Sequence, residues 1–251
     1  MTDHIRFRVR VVGGVMVLTF DHPPTRNALD RVTRGRLVEA LREADAAPDV
    51  RAIVLTGTDP AFSSGVDAKQ LLGDPDYTRL PVDPAAALRA LATPTIAAVN
   101  GSCVSGGLEI VLACSIVIAS TEARFADTHA KLGLTPGWGL STELPAAVGV
   151  WRARQLTLTA QPIDARTAYE WGLVNEVVDH GSLQRRALDL AGAIAQLDAT
   201  SIGNAVRLYA DGQQASLGAA RAVERAALDG WAVGRSSARA AFDQRVSPPS
   251  T

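Results

Sequence analysis

Asn100-Gly-Ser-Cys-Val-Ser-Gly-Gly-Leu-Glu109 is the stretch whose residue types and spacing suit chemistry. The apolar run Thr95–Val99 enters it as a strand, small residues turn the chain, and a helix opens at Gly106-Gly107. Glycines allow another molecule to approach the backbone closely, and the first N–H groups of a helix have no partner within it. The end of such a helix carries roughly half a positive charge, which suits an oxygen that becomes negative during a reaction. Glu109, three residues inside, stands close enough to exchange a proton with whatever the amides hold. Enolate or acyl chemistry is one reading. The other is a tight strand-to-helix turn whose first-turn glutamate simply suits the helix dipole.

The elements that position this stretch follow from periodicity. Ile5, Phe7, Val9 and Val11 alternate with Arg6, Arg8 and Arg10, the pattern of a half-exposed strand, and Gly13-Gly14 returns it through Val15–Phe20 as a hairpin. Asp30 is placed to cap a helix reaching about Ala46, with Val32, Leu37, Val38 and Leu41 on its apolar face. Ala52–Thr56 is a short buried strand, Phe62–Lys69 a loop around Gly65, and Ala68–Leu72 a short helix. Gly73–Pro84, rich in Asp, Pro and Gly, reads as a mobile covering loop. Helix over Pro84–Ala92, strands over Ser115–Ser120 and from Arg124, helices over Leu140–Gly149, Val150–Thr159 and Asp164–Trp171, and a strand over Val174–Val178 come next. Beyond Gly181 the pattern is helical over Leu183–Leu197, Ser201–Tyr209 and Leu217 to about Phe242. Recurring strand-turn-helix units define an α/β class. Residues 1–197 read as its core and 198–251 as a helical module, ending in a disordered-looking Val246–Thr251.

Bulk properties narrow the function. A chain of 251 residues supports a substantial core, and a net charge of -1 gives no electrostatic case for nucleic acid or an acidic membrane. Cys103 and Cys114 offer neither metal spacing nor a disulfide framework, so no metal is expected and a reducing compartment suits the chain. The N-terminus lacks a signal-peptide core, and the longest apolar run, Leu108–Ala119, is too short to span a bilayer. The expectation is a cytoplasmic protein.

Four segments together resemble the enoyl-CoA hydratase/isomerase (crotonase) superfamily. They are His22-Pro-Pro-Thr-Arg-Asn27-Ala-Leu, Phe62-Ser-Ser-Gly65-Val-Asp67-Ala-Lys69, the Asn100–Glu109 stretch and Lys131-Leu-Gly-Leu-Thr-Pro136-Gly137. They stand in the family's order and near its spacing, and the similarity runs from the hairpin to Arg245. The resemblance implies a crotonase-like spiral of ββα turns with a C-terminal helical oligomerisation module, assembled as a trimer or dimer of trimers. It implies an acyl-CoA thioester substrate, no separate cofactor, and an oxyanion hole from the backbone N–H groups of Val66 and Gly106. Ser63, Ser64, Asp67, Ala68 and Lys69 would lie along the CoA nucleotide, and Arg245 matches, one residue short, a basic residue that reaches a neighbour's CoA. Leu132, Pro136, Gly137 and Trp138 would shape the acyl pocket.

Relatives that hydrate use two glutamates. Glu109 occupies the first position, and the second falls on His129, the main departure from the family's pattern. An imidazole titrating near pH 6.5 can serve in proton transfer, or His129 can simply line the pocket. Asp127, two residues away, could orient the imidazole, although in an extended segment the two side chains would face opposite sides. Glu143 reads as an exposed helix charge or as a displaced second carboxylate, and Trp138 and Trp151 as pocket or core residues. The expected activity is hydration of a 2-enoyl-CoA. The alternatives are an isomerase or other crotonase-type thioester reaction, a non-catalytic acyl-CoA binder, and a Ser105–His129 acyl hydrolase.

Overall fold

The computed structural model describes residues 6–73 and 82–233. The chain opens with the antiparallel pair β1 (Phe7–Val12) and β2 (Val15–Phe20), in register from Phe7–Phe20 to Val12–Val15. From β2 onward strands β3 (Ala52–Gly57), β5 (Thr95–Val99), β7 (Ile116–Ser120) and β10 (Glu176–Val178) add in parallel, giving a six-stranded sheet ordered β1-β2-β3-β5-β7-β10. A second sheet of β4 (Ala61–Ser63), β6 (Ser102–Val104), β8 (Arg124–Ala126) and β9 (Ile163–Asp164) has the order β4-β6-β8-β9. Each turn of the chain therefore leaves one strand in the large sheet and the next in the small one. That is the expected ββα spiral of an α/β protein.

Alternation within the strands explains the two cores. Met16, Leu18 and Phe20 of β2, with Ile53 and Leu55 of β3, face the cluster that includes Phe62, Leu108 and Phe125. Val15, Val17, Ala52 and Val54 face the other side, where Leu183, Ala187 and Ala191 of helix α8 (Leu183–Ala195) cover the sheet. Strands buried on both faces read as continuous apolar runs, as Ala52–Leu55 does.

Six further helices flank the sheets: α1 (Arg31–Ala46), α2 (Ala68–Gly73), α3 (Pro84–Arg89), α4 (Gly106–Leu112), α5 (Leu140–Val148) and α6 (Val150–Thr159). α7 (Ala165–Trp171) precedes β10, and α9 (Ala199–Val233) is the final helix described. Asp30 caps α1 as expected, its side chain accepting Thr33 N–H at 2.7 Å.

Several elements differ from the sequence reading. Ser102–Val104 and Ala61–Ser63 are strands rather than parts of loops, because each pairs with its equivalent from the next turn of the spiral. The two expected tail helices are one continuous helix, since no proline interrupts residues 199–233 and Gly212 is accommodated within it. Val32 faces solvent, as do Val9 and Val11 on the edge strand β1. Trp151 is 76% exposed and belongs to no core. Arg245, residues 246–251, the far end of the tail toward Phe242 and most of the expected covering loop lie outside the described residues.

Candidate active site

Two buried amide side chains tie the loops at the ends of the strands. Asn27 accepts His22 N–H at 2.7 Å and donates to the carbonyls of Thr58 and Ala61 at 2.8 and 2.7 Å. Asn100 accepts Gly57 N–H at 3.2 Å and donates to Asp59 at 2.8 Å. With these loops fixed, Gly65 adopts φ +87°, and a Cβ there would lie 2.8 Å from the Val104 carbonyl and 3.0 Å from Gly106 N. Only glycine lets the two loops approach so closely in that conformation.

Val66 and Gly106 consequently present their amides side by side. Leu29 takes up the backbone on either side of Val66, donating to Gly65 O at 2.8 Å and accepting Asp67 N–H at 3.2 Å, which turns Val66 N–H away from it. Gly106 opens α4, and a Cβ on it would sit 3.3 Å from Val66 N and 3.1 Å from the Trp138 ring. Neither amide donates to a protein acceptor among the described residues.

Glu109, in the first turn of α4, is buried at 3% exposure. Its Oε1 accepts Trp138 N–H at 2.8 Å and, more weakly, Leu140 N–H at 3.4 Å. Its Oε2 lies 3.9 Å from His129 Nε2. Burial raises its pKa from 4.5 to about 7, against the lowering influence of His129 and the Trp138 amide; Glu224 adds to the rise.

His129 is buried as well, at the start of a 3-10 turn spanning His129–Leu132. Of the two arrangements open to Asp127 and His129, the one in which the carboxylate orients the imidazole forms. Thr128 at φ -115°, ψ 13° breaks the extended geometry and swings both side chains together, with His129 Nδ1 2.6 Å from Asp127 Oδ1. Burial disfavours the imidazolium, but the Asp127 hydrogen bond and the charges of Glu109, Asp127 and Glu224 more than offset it, so the His129 pKa is raised. Burial likewise acts to raise the Asp127 pKa, and the hydrogen bonds and charge of His129 reverse that, holding it below the ordinary carboxylate range. Asp127, His129 and Glu109 thus form a buried line of proton-exchanging groups. A gap of 3.9 Å admits one oxygen about 2.8 Å from both Glu109 and His129.

Ser105 does not join that line. Despite its strained φ of +49°, its hydroxyl accepts Thr128 N–H at 2.9 Å and meets Thr128 Oγ1 at 3.0 Å, while both ring nitrogens of His129 face carboxylates. The Ser–His pair required by an acyl hydrolase is not assembled.

Other expected site residues are distributed as follows. Ser63 is fully buried with its hydroxyl donating to Asn27 O, and Ser64 donates to Thr25 O, each at 2.9 Å. Asp67 accepts Gln70 N–H at 3.1 Å at the start of α2; Ala68 is half-buried and Lys69 exposed on that helix. Leu132, Pro136, Gly137 and Trp138 form a half-buried wall leading to α5, and the Trp138 ring carries the Arg34 guanidinium at 5.8 Å. Among the described residues no group of His, Cys, Asp and Glu side chains is arranged to hold a metal ion.

Glu143 is buried rather than exposed, because Arg221 and Gln213 of α9 pair with it across the top of α5. The sequence reading also passed over Glu224, a single acid among many charges of a helical pattern. It accepts Gly139 N–H at 2.6 Å and Ser141 N–H at 2.7 Å.

Residues 10–229 match the family model described as enoyl-CoA hydratase/isomerase. The chain is similar to the probable peroxisomal enoyl-CoA hydratase 1 of Arabidopsis thaliana, 34% identical over 85% of this chain and 81% of that protein. It resembles the crystal structure of an enoyl-CoA hydratase from Mycobacterium tuberculosis, with TM-score 0.82, 37% identity and coverage of 90% and 98% of the two chains. A monofunctional enoyl-CoA isomerase from M. smegmatis is also similar, with TM-score 0.73, 31% identity and coverage of 83% and 94%. The chain belongs to the enoyl-CoA hydratase/isomerase (crotonase) family and is an enzyme of the crotonase type acting on acyl-CoA.

Proposed function

We propose that this enzyme hydrates 2-enoyl-CoA thioesters, with Glu109 and His129 as a mixed acid–base pair. The observation that carries the proposal is the 3.9 Å approach of Glu109 Oε2 to His129 Nε2, both groups buried and each fixed from behind. Ionised Glu109 accepts a proton as the water oxygen bonds to C3. Electron density from the double bond moves onto the thioester oxygen, which the N–H groups of Val66 and Gly106 receive. Protonated His129 then delivers its proton to C2, and the proton held by Glu109 passes to His129 to restore the pair. Such a donor pair contributes roughly 3–4 kcal/mol of transition-state stabilisation per amide removed, and general acid–base groups about 10²–10⁴-fold each.

The Ser63–Lys69 loop, through its backbone and Lys69, supports the CoA nucleotide in this proposal, with Arg245 reaching a neighbour's CoA in a trimer or dimer of trimers. Leu132–Trp138 shapes the acyl end. A second reading, double-bond isomerisation with Glu109 as the one base, is favoured by the similarity to the M. smegmatis isomerase and by a histidine in place of the second carboxylate.

The test is incubation with a panel of 2-enoyl- and 3-enoyl-CoA thioesters, products being identified by mass and chromatography. Gain of water, reduced about 100-fold or more in both Glu109→Gln and His129→Ala, is the expected result. A shift of the double bond without change of mass establishes the isomerase. Thioesters that bind without conversion overturn both readings in favour of a binder.

A further inference from the structure

Four successive amides at the start of α5 are divided between two buried carboxylates. Trp138 and Leu140 donate to Glu109, while Gly139 and Ser141 donate to Glu224, which reaches in from α9 and is 7% exposed. Alternate N–H groups point to opposite sides of this turn, so each carboxylate holds the strip from one side. The same strip is anchored by Arg89, whose Nη1 donates to Trp138 O at 3.0 Å. Gly139 adopts φ +106°, a backbone conformation that glycine takes up readily.

We propose that Glu224 is a positioning residue for Glu109: by gripping the intervening amides it fixes the Trp138 and Leu140 N–H groups against Glu109, and so links the docking of the C-terminal helix to the reacting carboxylate. The proposal rests on Glu109 being the acid–base group of the reading above for its effect on turnover, but its geometric content does not.

Among the described residues the charges acting on Glu109 are His129 from the turn after β8, Arg89 from α3 and Glu224 from α9, with Asp127 behind the His129 ring and Arg34 of α1 lying across Trp138. Removing Glu224 has two opposed consequences. Loss of its negative charge lowers the Glu109 pKa, whereas loosening of the amides raises it. After burial and His129, the Trp138 hydrogen bond is the strongest influence on Glu109, ahead of the Glu224 charge, and the Leu140 bond acts with it. A purely electrostatic role therefore moves the Glu109 titration downward and leaves the Trp138 and Leu140 amides as they were, whereas a positioning role loosens those amides and opposes the downward shift.

The experiment follows the Glu109 carboxyl by ¹³C NMR and the amide exchange of Trp138 and Leu140, in the full chain and in Glu224→Gln and Glu224→Ala. Gln preserves volume but accepts only one of the two amides at its single oxygen; Ala removes both bonds. The expected result is that the Trp138 and Leu140 amides exchange roughly tenfold faster or more, with the Glu109 titration moved less far down than loss of the Glu224 charge alone would move it, or upward. In turnover assays kcat falls roughly 10- to 100-fold with KM changed less than about threefold. Unchanged exchange of the Trp138 and Leu140 amides overturns the proposal whatever the titration does, including the case in which the variants only melt earlier. If no enoyl-CoA is converted by the parent enzyme, the hydratase reading fails, and NMR still decides the role of Glu224.

Discussion

At Glu109 burial acts against the charge that the reaction needs. A base that titrates at about 7 is ionised in only part of the population at neutral pH, and the ionised fraction grows as pH rises. His129 must be protonated to act as the acid, and its raised pKa extends that form to higher pH. The pH profile of kcat/KM for a 2-enoyl-CoA is therefore expected to rise through about pH 7 and to fall again above the His129 pKa. Asp127→Asn removes the principal support of the imidazolium, so the descending limb moves to lower pH; ¹H NMR of the His129 ring should show the same shift. A profile insensitive to Asp127→Asn would detach His129 from the chemistry. Stability carries a matching sign. A carboxyl whose folded pKa is raised contributes most below its unfolded pKa of 4.5 and loses that contribution as pH rises through about 7. This interval corresponds to roughly 3 kcal/mol at 1.36 kcal/mol per pH unit. Glu109→Gln is accordingly expected to melt higher than the parent at pH 8, with the advantage shrinking toward pH 5 in calorimetry.

Among the elements, the meeting of the Gly65 loop with the start of α4 is the place where a single methyl group has most effect. Gly65→Ala would put a Cβ 2.8 Å from Val104 O at a φ of +87°, so a destabilisation of about 1–3 kcal/mol is expected, measurable as a lower denaturant midpoint. Gly106→Pro deletes one of the two adjacent amides, and a fall in kcat of about 10²–10³-fold with retained thioester binding is expected. Activity near that of the parent would remove Gly106 N–H from the mechanism. Both glycines stand out in the sequence because their neighbours form motifs of residue types with a physical function at fixed spacing. What stayed hidden at this scale was pairing between successive turns of the spiral. Ala61–Ser63 and Ser102–Val104 are three residues each, too short to show alternation, and become strands only by lying beside one another. Sequence proximity offered Asp127 as a partner of His129, but whether they meet depends on the backbone of Thr128 rather than on the pair's own residue types.

Across the whole molecule, α9 meets the site largely through charges, which is why periodicity left Glu143 as an exposed helix charge and did not single out Glu224. Glu143 is bonded by Arg221 and Gln213, and Arg89 lies close enough to feel its charge. Arg225 and Arg89 approach Asp83 at 3.7 and 3.9 Å, ahead of α3. An ion pair this buried is not stabilising merely by existing, since desolvation offsets much of the attraction; removal of one member, however, strands the other. Glu143→Ala alone and Arg221→Ala alone are thus each expected to destabilise by about 3 kcal/mol or more, and the double variant by clearly less than their sum. The surface pair Arg166–Glu170 on α7, at side-chain exposures of 87% and 57%, provides the comparison, and its double-mutant cycle should show negligible coupling. Denaturant melts of the two cycles decide the matter. Strong coupling at Glu143–Arg221 makes this pair the clamp that seats α9 on α5. Additive effects there would leave Glu224 and the packing of Leu228 over Gly137 to hold the helix in place.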